Sequence, residues 1–511
     1  MLFVQEGGKP ETKQLISARD IEWRFVLSQH HLTLRIQLPY IGNKDLPLGV
    51  LKIELHIGST HRILKQISEG DIKDLYTKKK EKQLKKFQVF FEKSKIFWSN
   101  FIKINPRFKL RAIKIFVEDV HRKLKPVTTF IKKLRCRALG SPKQAARFVS
   151  LLPLEENKHA NSALLWMDYH TFLSVKKGSA FDHSILLCCL LLGHKLDAFM
   201  CLGASSDGVH AWVMTRVQIP EEELEIELDR VVKKGSRAYE LRKNGKKGIY
   251  EAIKLANIPR FKYQFWESLT GKIFEQSDPR INFYYRKLGC MFNNEVVYAN
   301  CQPRDVVSDL DLNLEDPSCW KALDVPNFET DFEEEGAGGG LAALIGKSKD
   351  SEEVHIPREL QLSYSKSREE TLELENSLEF KLLGAIRFHR NLLKRACKID
   401  EDLCFLMSQA LIYFEQNASL GFEDKSRGSN SEFKQAVRNH VPDYYRFKAL
   451  PLQFTHTDPG LIMKRIKANK VGRDILDVLS DDVNYGLRCK VVSYPEGVMA
   501  VWVMISCYFF E

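Results

Sequence analysis

Three kinds of side chain in a set order would make an acyl-transfer site. A Cys at a helix N-terminus has its thiol acidified by the helix dipole. A His on a following strand serves as base, and a carboxylate or amide on the next strand orients that His. Residues 165–300 offer most of this order: a helix start near residue 180, His210 within Val209-His210-Ala211-Trp212-Val213, and Glu267 within Phe265-Trp266-Glu267. The first partner is missing. The helix start reads Gly178-Ser179-Ala180-Phe181-Asp182-His183, without a Cys. Cys188 and Cys189 lie two turns into an apolar helix, where a buried thiol is inert. His183 and His194 have no neighbours at metal-ligand spacing, so no metal or cofactor is expected.

The elements that must position these residues are legible in part. Asp182 to Leu192 reads as a buried helix stopped by Gly193, and Ala198–Leu202 and Ala211–Met214 as core strands. Phe265–Leu269 reads as a third strand with its turn at Thr270-Gly271. Ser141-Pro142 opens a helix through Val149, and Arg147 on it reads as a salt-bridged structural residue. The charged stretch 217–262 reads as a surface insertion, helical or disordered. Leu32–Leu38 and Leu51–Ile57 alternate apolar and polar residues as strands do. Ile113–Val117 looks like another strand. Residues 70–105 read as one helix with an apolar stripe at Leu84, Phe87, Phe91, Trp98 and Phe101, ended by Pro106. Residues 328–353, with Gly338-Gly339-Gly340, read as a linker. A helical segment from Arg368 to Leu411 and strands Gly486–Tyr494 and Val498–Phe510 complete the chain.

The 511 residues carry a net charge of +12, unevenly placed. Across residues 1–150, 32 Lys and Arg face 13 Asp and Glu, a net of +19, while the remainder nets −7. Such a field draws an acidic partner. Lys78, Lys79, Lys80, Lys82, Lys85 and Lys86 form its densest face. Hydrophobic content of 44% excludes a mostly disordered chain, and no apolar run spans a bilayer. No signal peptide is expected at Met1–Glu6, and eleven Cys without CxxC pairs suit a reducing compartment.

In order along the chain, Pro142–Val149, Asp182–Gly193, His210–Thr215, Trp266–Gly271, Leu288–Asn293, Asn300–Pro303, Tyr494-Pro495-Glu496 and Ala500–Met504 resemble the centrosomal protein of 76 kDa family, which carries a papain- or transglutaminase-like domain. The family's helix start reads Gly-Asp-Cys-Glu-Asp-His. The resemblance therefore puts Ala180 at the Cys position, with His210 and Glu267 as the other two members of a degenerate triad. Ser179 is one residue off, about 100° around a 3.6-residue helix. Together with Trp212 and Trp266 it is a candidate for lining a groove. The resemblance also implies a C2-type β-sandwich, of which residues 1–60 supply only the last strands, so that the chain begins inside that domain.

The expected fold is α+β. It comprises partial C2-like strands (1–60), a basic helix and connecting strand region (61–140), a transglutaminase-like domain (141–327) with the insertion 217–262, the linker (328–353) and a C-terminal α+β domain (354–511). The expected function is a non-catalytic centrosomal or centriolar scaffold acting in centriole duplication or cilium assembly. Its expected partners are centrosomal proteins and acidic peptides such as tubulin tails. The alternatives are a hydrolase or transamidase with a non-standard nucleophile, and a nonspecific, salt-dependent nucleic-acid binder.

Overall fold

A computed structural model describes residues 2–4, 14–17, 21, 23–29, 31–39, 47–56, 68–155, 165–232, 236–242, 245–256, 258, 260–326, 359–421 and 430–510. The expected linker 328–353 lies outside the described residues. The chain divides into two compact units, one of residues 1–133, 155–263 and 275–358, the other of 134–154, 264–274 and 359–511.

The first unit opens with the paired strands β1 (Leu2–Val4) and β2 (Gln14–Ser17), a helical turn α1 (Val26–Gln29), and the hairpin β3 (His31–Pro39) and β4 (Pro47–His56). Helix α2 (Glu69–Ile104) is capped by Ser68, which accepts from the Gly70 N–H, and stops before Pro106. Its buried seam is Phe90, Ser94, Phe97 and Phe101. The expected stripe is thus displaced by one residue. Of its members only Phe101 is buried, and Leu84 is 56% exposed. Phe87 and Phe91 still pack on Phe116, at 5.7 and 5.5 Å between ring centres. The expected strand at 113–117 begins only at Phe116. β5 (Phe116–Glu118) pairs with β6 (Leu124–Pro126).

Helix α3 (Pro142–Ser150) belongs to the second unit. Helices α4 (Tyr169–Val175) and α5 (Ala180–Gly193) return to the first. Every residue of α5 from Phe181 to Leu192 is buried, because leucines and cysteines occupy all its faces. Each such leucine contributes about 1.5–3 kcal/mol. α5 packs on β7 (Asp197–Ser205) and β8 (Gly208–Gln218), antiparallel strands joined by a two-residue turn. Gly208, at φ +124°, permits that turn. The sheet runs β9 (Phe261–Trp266, beginning in this unit), β8, β7, β11 (Lys287–Phe292), β12 (Val296–Asn300), β13 (Trp320–Asp324). Between β8 and β9 the charged insertion is helical where described. Helices α6 (Glu221–Val231), α7 (Arg237–Arg242) and α8 (Gly245–Leu255) share a small core of Leu224, Leu228, Ala252 and Ile253. A short α9 (Ile281–Tyr284) precedes β11.

The second unit contains β10 (Ile273–Glu275, only in its first residues), α10 (Arg368–Leu392), β14 (Lys398–Ile399), α11 (Glu401–Leu420), α12 (Ser431–His440), β15 (Tyr445–Phe454), α13 (Pro459–Ala468), α14 (Lys470–Leu476), β16 (Val483–Ser493) and β17 (Met499–Phe510). The expected helix from 368 to 411 is two helices broken at residues 393–400. The four strands run β14-β16-β17-β15. Strand alternation sorts the side chains. Val501, Val503, Ile505 and Cys507 meet α10, α13 and α14, while Trp502 and Met504 meet Met407, Ala410, Leu411 and Phe414 of α11. Two helix carboxylates finish an open stretch of β16. Glu375 accepts from the Val491 N–H at 2.9 Å and Glu379 from the Cys489 N–H at 2.7 Å.

Candidate functional site

The first turn of α5 is fixed by a reciprocal cap. The Ser179 Oγ donates to Asp182 Oδ2 at 2.7 Å, the Ser179 N–H donates to the same oxygen at 2.8 Å, and the Asp182 N–H donates back to Ser179 Oγ at 3.5 Å. Asp182 Oδ1 accepts from the Met167 N–H at 2.9 Å. The carboxyl is 2% exposed; burial pushes its pKa up, against the pull of these donors. Gly178 is required beside it, since a Cβ there would meet Asp182 Oδ2 and Phe172 at 2.9 Å. Ser179 is therefore the helix cap, with its hydroxyl committed to Asp182. Ala180 follows it, half-buried, with a methyl where the resemblance puts a thiol.

His183 is buried and held by its own helix. Its Nδ1 lies 2.8 Å from the Ser179 carbonyl oxygen, and its ring meets Phe172 edge-on at 4.8 Å. Cys188 and Cys189 are fully buried, and burial pushes the Cys188 thiol well above its ordinary value. The Cys189 sulfur accepts from the Lys132 N–H at 3.2 Å.

His210 lies on β8 opposite Gly203 of β7, half-buried. Its ring stacks at 6.1 Å on Trp212 and 6.3 Å on Tyr285, which stack on each other at 4.4 Å. A Cβ at residue 203 would meet the Trp212 ring at 2.6 Å, so the glycine makes room for it. α5 and β8 pack together within the first unit, which puts Ala180 and His210 on adjoining elements.

Glu267 departs from the expectation. It lies beyond the end of β9, among the residues of the second unit. Its N–H donates to the Lys272 carbonyl at 2.8 Å, and its carboxylate accepts from the Leu269 N–H at 3.2 Å. The reason is local: Gly271, at φ +71°, folds residues 267–272 into a turn. Trp212 and Trp266 are buried, 0% and 3% exposed, so neither ring is the accessible groove wall expected of it. Apolar packing claims both.

A groove lies along α2. It encloses about 440 Å³ and is lined by Lys78, Glu81, Lys82, Lys85, Lys86, Val89 and Pro326. The spacing of 78, 82, 85, 86 and 89 keeps these residues on one helix face. Lys79 and Lys80 lie around the helix from it.

Glu415 is a residue that sequence reasoning missed. Its Oε1 accepts from Arg147 Nε at 3.0 Å and from the Tyr494 hydroxyl at 2.7 Å. Its Oε2 accepts from Arg147 Nη2 at 2.7 Å and Trp502 Nε1 at 2.6 Å. The ion pair is nearly sealed, with side-chain exposures of 4% and 8%. Arg147, Tyr494 and Trp502 each lie in a stretch that the resemblance singled out. Nothing in the spacing said that they share one carboxylate.

A buried helix packed on a His-bearing hairpin, in a mixed α+β unit, suits a peptidase-like domain, and the start of that helix carries no thiol. The comparisons support a peptidase-like domain. Residues 164–323 match the family described as CEP76 peptidase-like domain, and residues 367–509 match the centrosomal protein of 76 kDa C-terminal domain. Centrosomal protein of 76 kDa from Xenopus laevis and that from Homo sapiens are each 28% identical to this chain over 512 residues, covering 96% of it and 68% of the relative. Protein CC2D2B of Homo sapiens is 21% identical over 83% of the chain and 24% of the relative. The chain belongs to the centrosomal protein of 76 kDa family. No helix among the described residues is long and apolar enough to cross a membrane.

Proposed function

We propose that the protein is a non-catalytic scaffold of the centrosome, acting in centriole duplication or cilium assembly, whose peptidase-like domain turns over no substrate and whose binding surface lies on helix α2. The observation that carries this reading is the side chain of Ala180. Acyl transfer needs a nucleophile at the first turn of the helix, and residue 180 supplies a methyl group. Ser179 is occupied as a cap, and Cys188 and Cys189, farther along the same helix, are buried, with the Cys188 thiol raised in pKa. The centrosomal setting follows the family.

The recognition surface in this reading is the α2 groove. Four lysines against one carboxylate, Glu81, with Val89 and Pro326 beside them, suit an extended acidic chain that carries an occasional apolar residue. An acidic, disordered tail of the tubulin kind fits this chemistry. The net +19 of residues 1–150 speeds its encounter and makes binding weaken with salt.

Two measurements test this. In a pull-down, tubulin with its acidic tails should be retained at low salt, tail-less tubulin should not, and Lys78→Glu/Lys82→Glu/Lys85→Glu should lose retention. Equal retention of both tubulins overturns the acidic-tail reading. Peptidase and transamidase assays should give no turnover; activity that disappears in His210→Ala would overturn the non-catalytic reading.

A further inference from the structure

Outside the peptidase-like site, the described residues hold one group of three metal-ligating side chains, His31, Glu54 and His56, on the β3–β4 hairpin. We infer that this is a surface binding site for a divalent transition-metal ion of the zinc class.

The register builds it. β3 and β4 pair antiparallel with His31 directly opposite His56, and their rings lie 4.4 Å apart. Side chains on a strand alternate between faces, so Glu54, two residues before His56, shares its face. It is also the diagonal neighbour of His31 across the ladder. Burial confirms the sorting. His31, Thr33, Arg35, Glu54 and His56 are exposed, whereas Leu32, Leu34, Ile53 and Leu55 on the opposite face are half-buried. One ligand atom from each of the three residues lies within 4.8 Å of those of the other two.

The donor set selects the ion. Two imidazole nitrogens and one carboxylate oxygen suit Zn²⁺, which binds at about 2.0–2.2 Å with three protein ligands and water in the fourth position. Calcium and magnesium want more oxygens than this face provides. A tetrahedral site with such bonds has its ligands about 3.4 Å apart. The three exposed side chains therefore close inward by roughly 1 Å through rotamer motion, without moving the backbone. One competitor is visible: Lys52 Nζ lies 2.6 Å from Glu54 Oε1 in an exposed ion pair. Such a pair contributes little, so a metal displaces the ammonium readily.

The site joins two strands whose connection at 40–46 lies outside the described residues. A bound ion would cross-link the hairpin at the end where β3 begins and β4 finishes.

Zn²⁺ titration of the full chain, followed by calorimetry, tests the inference. Against a His31→Ala/His56→Ala variant, the wild type should bind one further ion. Glu54→Gln should weaken that ion about tenfold, and Lys52→Met should tighten it by removing the competing charge. Hydrogen exchange gives an independent reading: Zn²⁺ should slow exchange of β3 and β4 amides in the wild type and not in the double variant. Identical titrations of wild type and double variant, or unchanged hairpin exchange at saturating Zn²⁺, would overturn the site. The exposed positions of both histidines keep the variants folded, which the unaltered exchange of α5 amides checks.

Discussion

The first turn of α5 and the underside of the C-terminal sheet each bury a carboxylate, and they do it by opposite means. Asp182 is surrounded by neutral donors, the Ser179 hydroxyl and two backbone N–H groups, and burial raises its pKa. Glu415 is met by a bidentate guanidinium plus a phenol and an indole, so all four of its hydrogen bonds are directed and one partner is charged. The contrast separates two tasks. The Asp182 cluster shapes a helix end, where a peptidase would need an exposed group beside it. The Glu415 cluster joins α3, α11, β17 and the segment at Tyr494 within one unit, and its ion pair is nearly sealed from solvent. The start of α5 is thus a capped helix end with no cysteine, while the nearly sealed Arg147–Glu415 pair serves architecture.

Removing one partner from the sealed ion pair should be the largest effect. Glu415→Ala leaves a buried guanidinium without a counter-charge and strips the Tyr494 hydroxyl and Trp502 indole of their acceptor. A loss of about 3–5 kcal/mol is expected. It would be read as a lowered urea midpoint with faster hydrogen exchange in α11. A coordinated apolar replacement, Arg147→Met/Glu415→Leu/Tyr494→Phe, should recover at least half of that loss, because it leaves no charge unpaired. If the triple variant is as unstable as Glu415→Ala, the cluster holds the fold by more than charge satisfaction.

The neutral cluster should respond less. Asp182→Ala removes three hydrogen bonds and leaves the half-buried Met167 N–H without this acceptor, for a cost of about 2–3 kcal/mol. Ser179→Ala removes the cap and one of the three bonds that Asp182 accepts, and should cost about 1 kcal/mol. Exchange of the α5 first-turn amides would report both. Equal losses from the two variants would mean that Ser179, not Asp182, organises this turn, and the comparison with Glu415 would fail.

How far the sequence disclosed these features follows from the physics of each. α5, β7 and β8 were readable because a run without polar interruption must be buried and because short apolar runs flanked by Gly203 and Gly208 suit core strands. Glu267 was misplaced because Phe265-Trp266 extends an apolar run to its very edge, and only the positive φ at Gly271 shows that the chain has already turned. The α2 stripe was misplaced by one residue because Phe90-Phe91 and Phe97-Trp98 offer two adjacent seams, and Phe90 and Phe97 are the members that the fold buries. The Arg147–Glu415 pair spans 268 residues, and His31–His56 depends on strand register. No local pattern encodes such meetings. Residues 217–262 looked merely charged because their apolar positions, such as Leu224, Leu228 and Ile253, are spaced between lysines and glutamates.

The smallest expected effect sharpens the contrast through acid. In the C-terminal unit, Asp400 caps α11 through the Leu403 N–H at 2.9 Å and accepts from His440 Nε2 at 2.8 Å and the Tyr508 hydroxyl at 2.7 Å. Burial alone would push its pKa up, but these three partners outweigh burial and hold the carboxyl below its usual range. A carboxyl whose folded pKa is depressed contributes stability that is fully present above the ordinary Asp value of about 3.9 and is lost as pH falls through the folded value. Asp182 has the reverse sign. Its raised pKa means that the folded state takes up a proton before the unfolded one does, so acid relieves a penalty there. As pH falls from about 5 to about 2, the stability difference between wild type and Asp400→Asn should therefore shrink. Hydrogen exchange at the start of α11 should quicken in the wild type over the same range, while amides at the start of α5 hold their protection to lower pH. Quickening at both helix starts together would show that the two carboxylates, for all their different surroundings, answer acid in the same way.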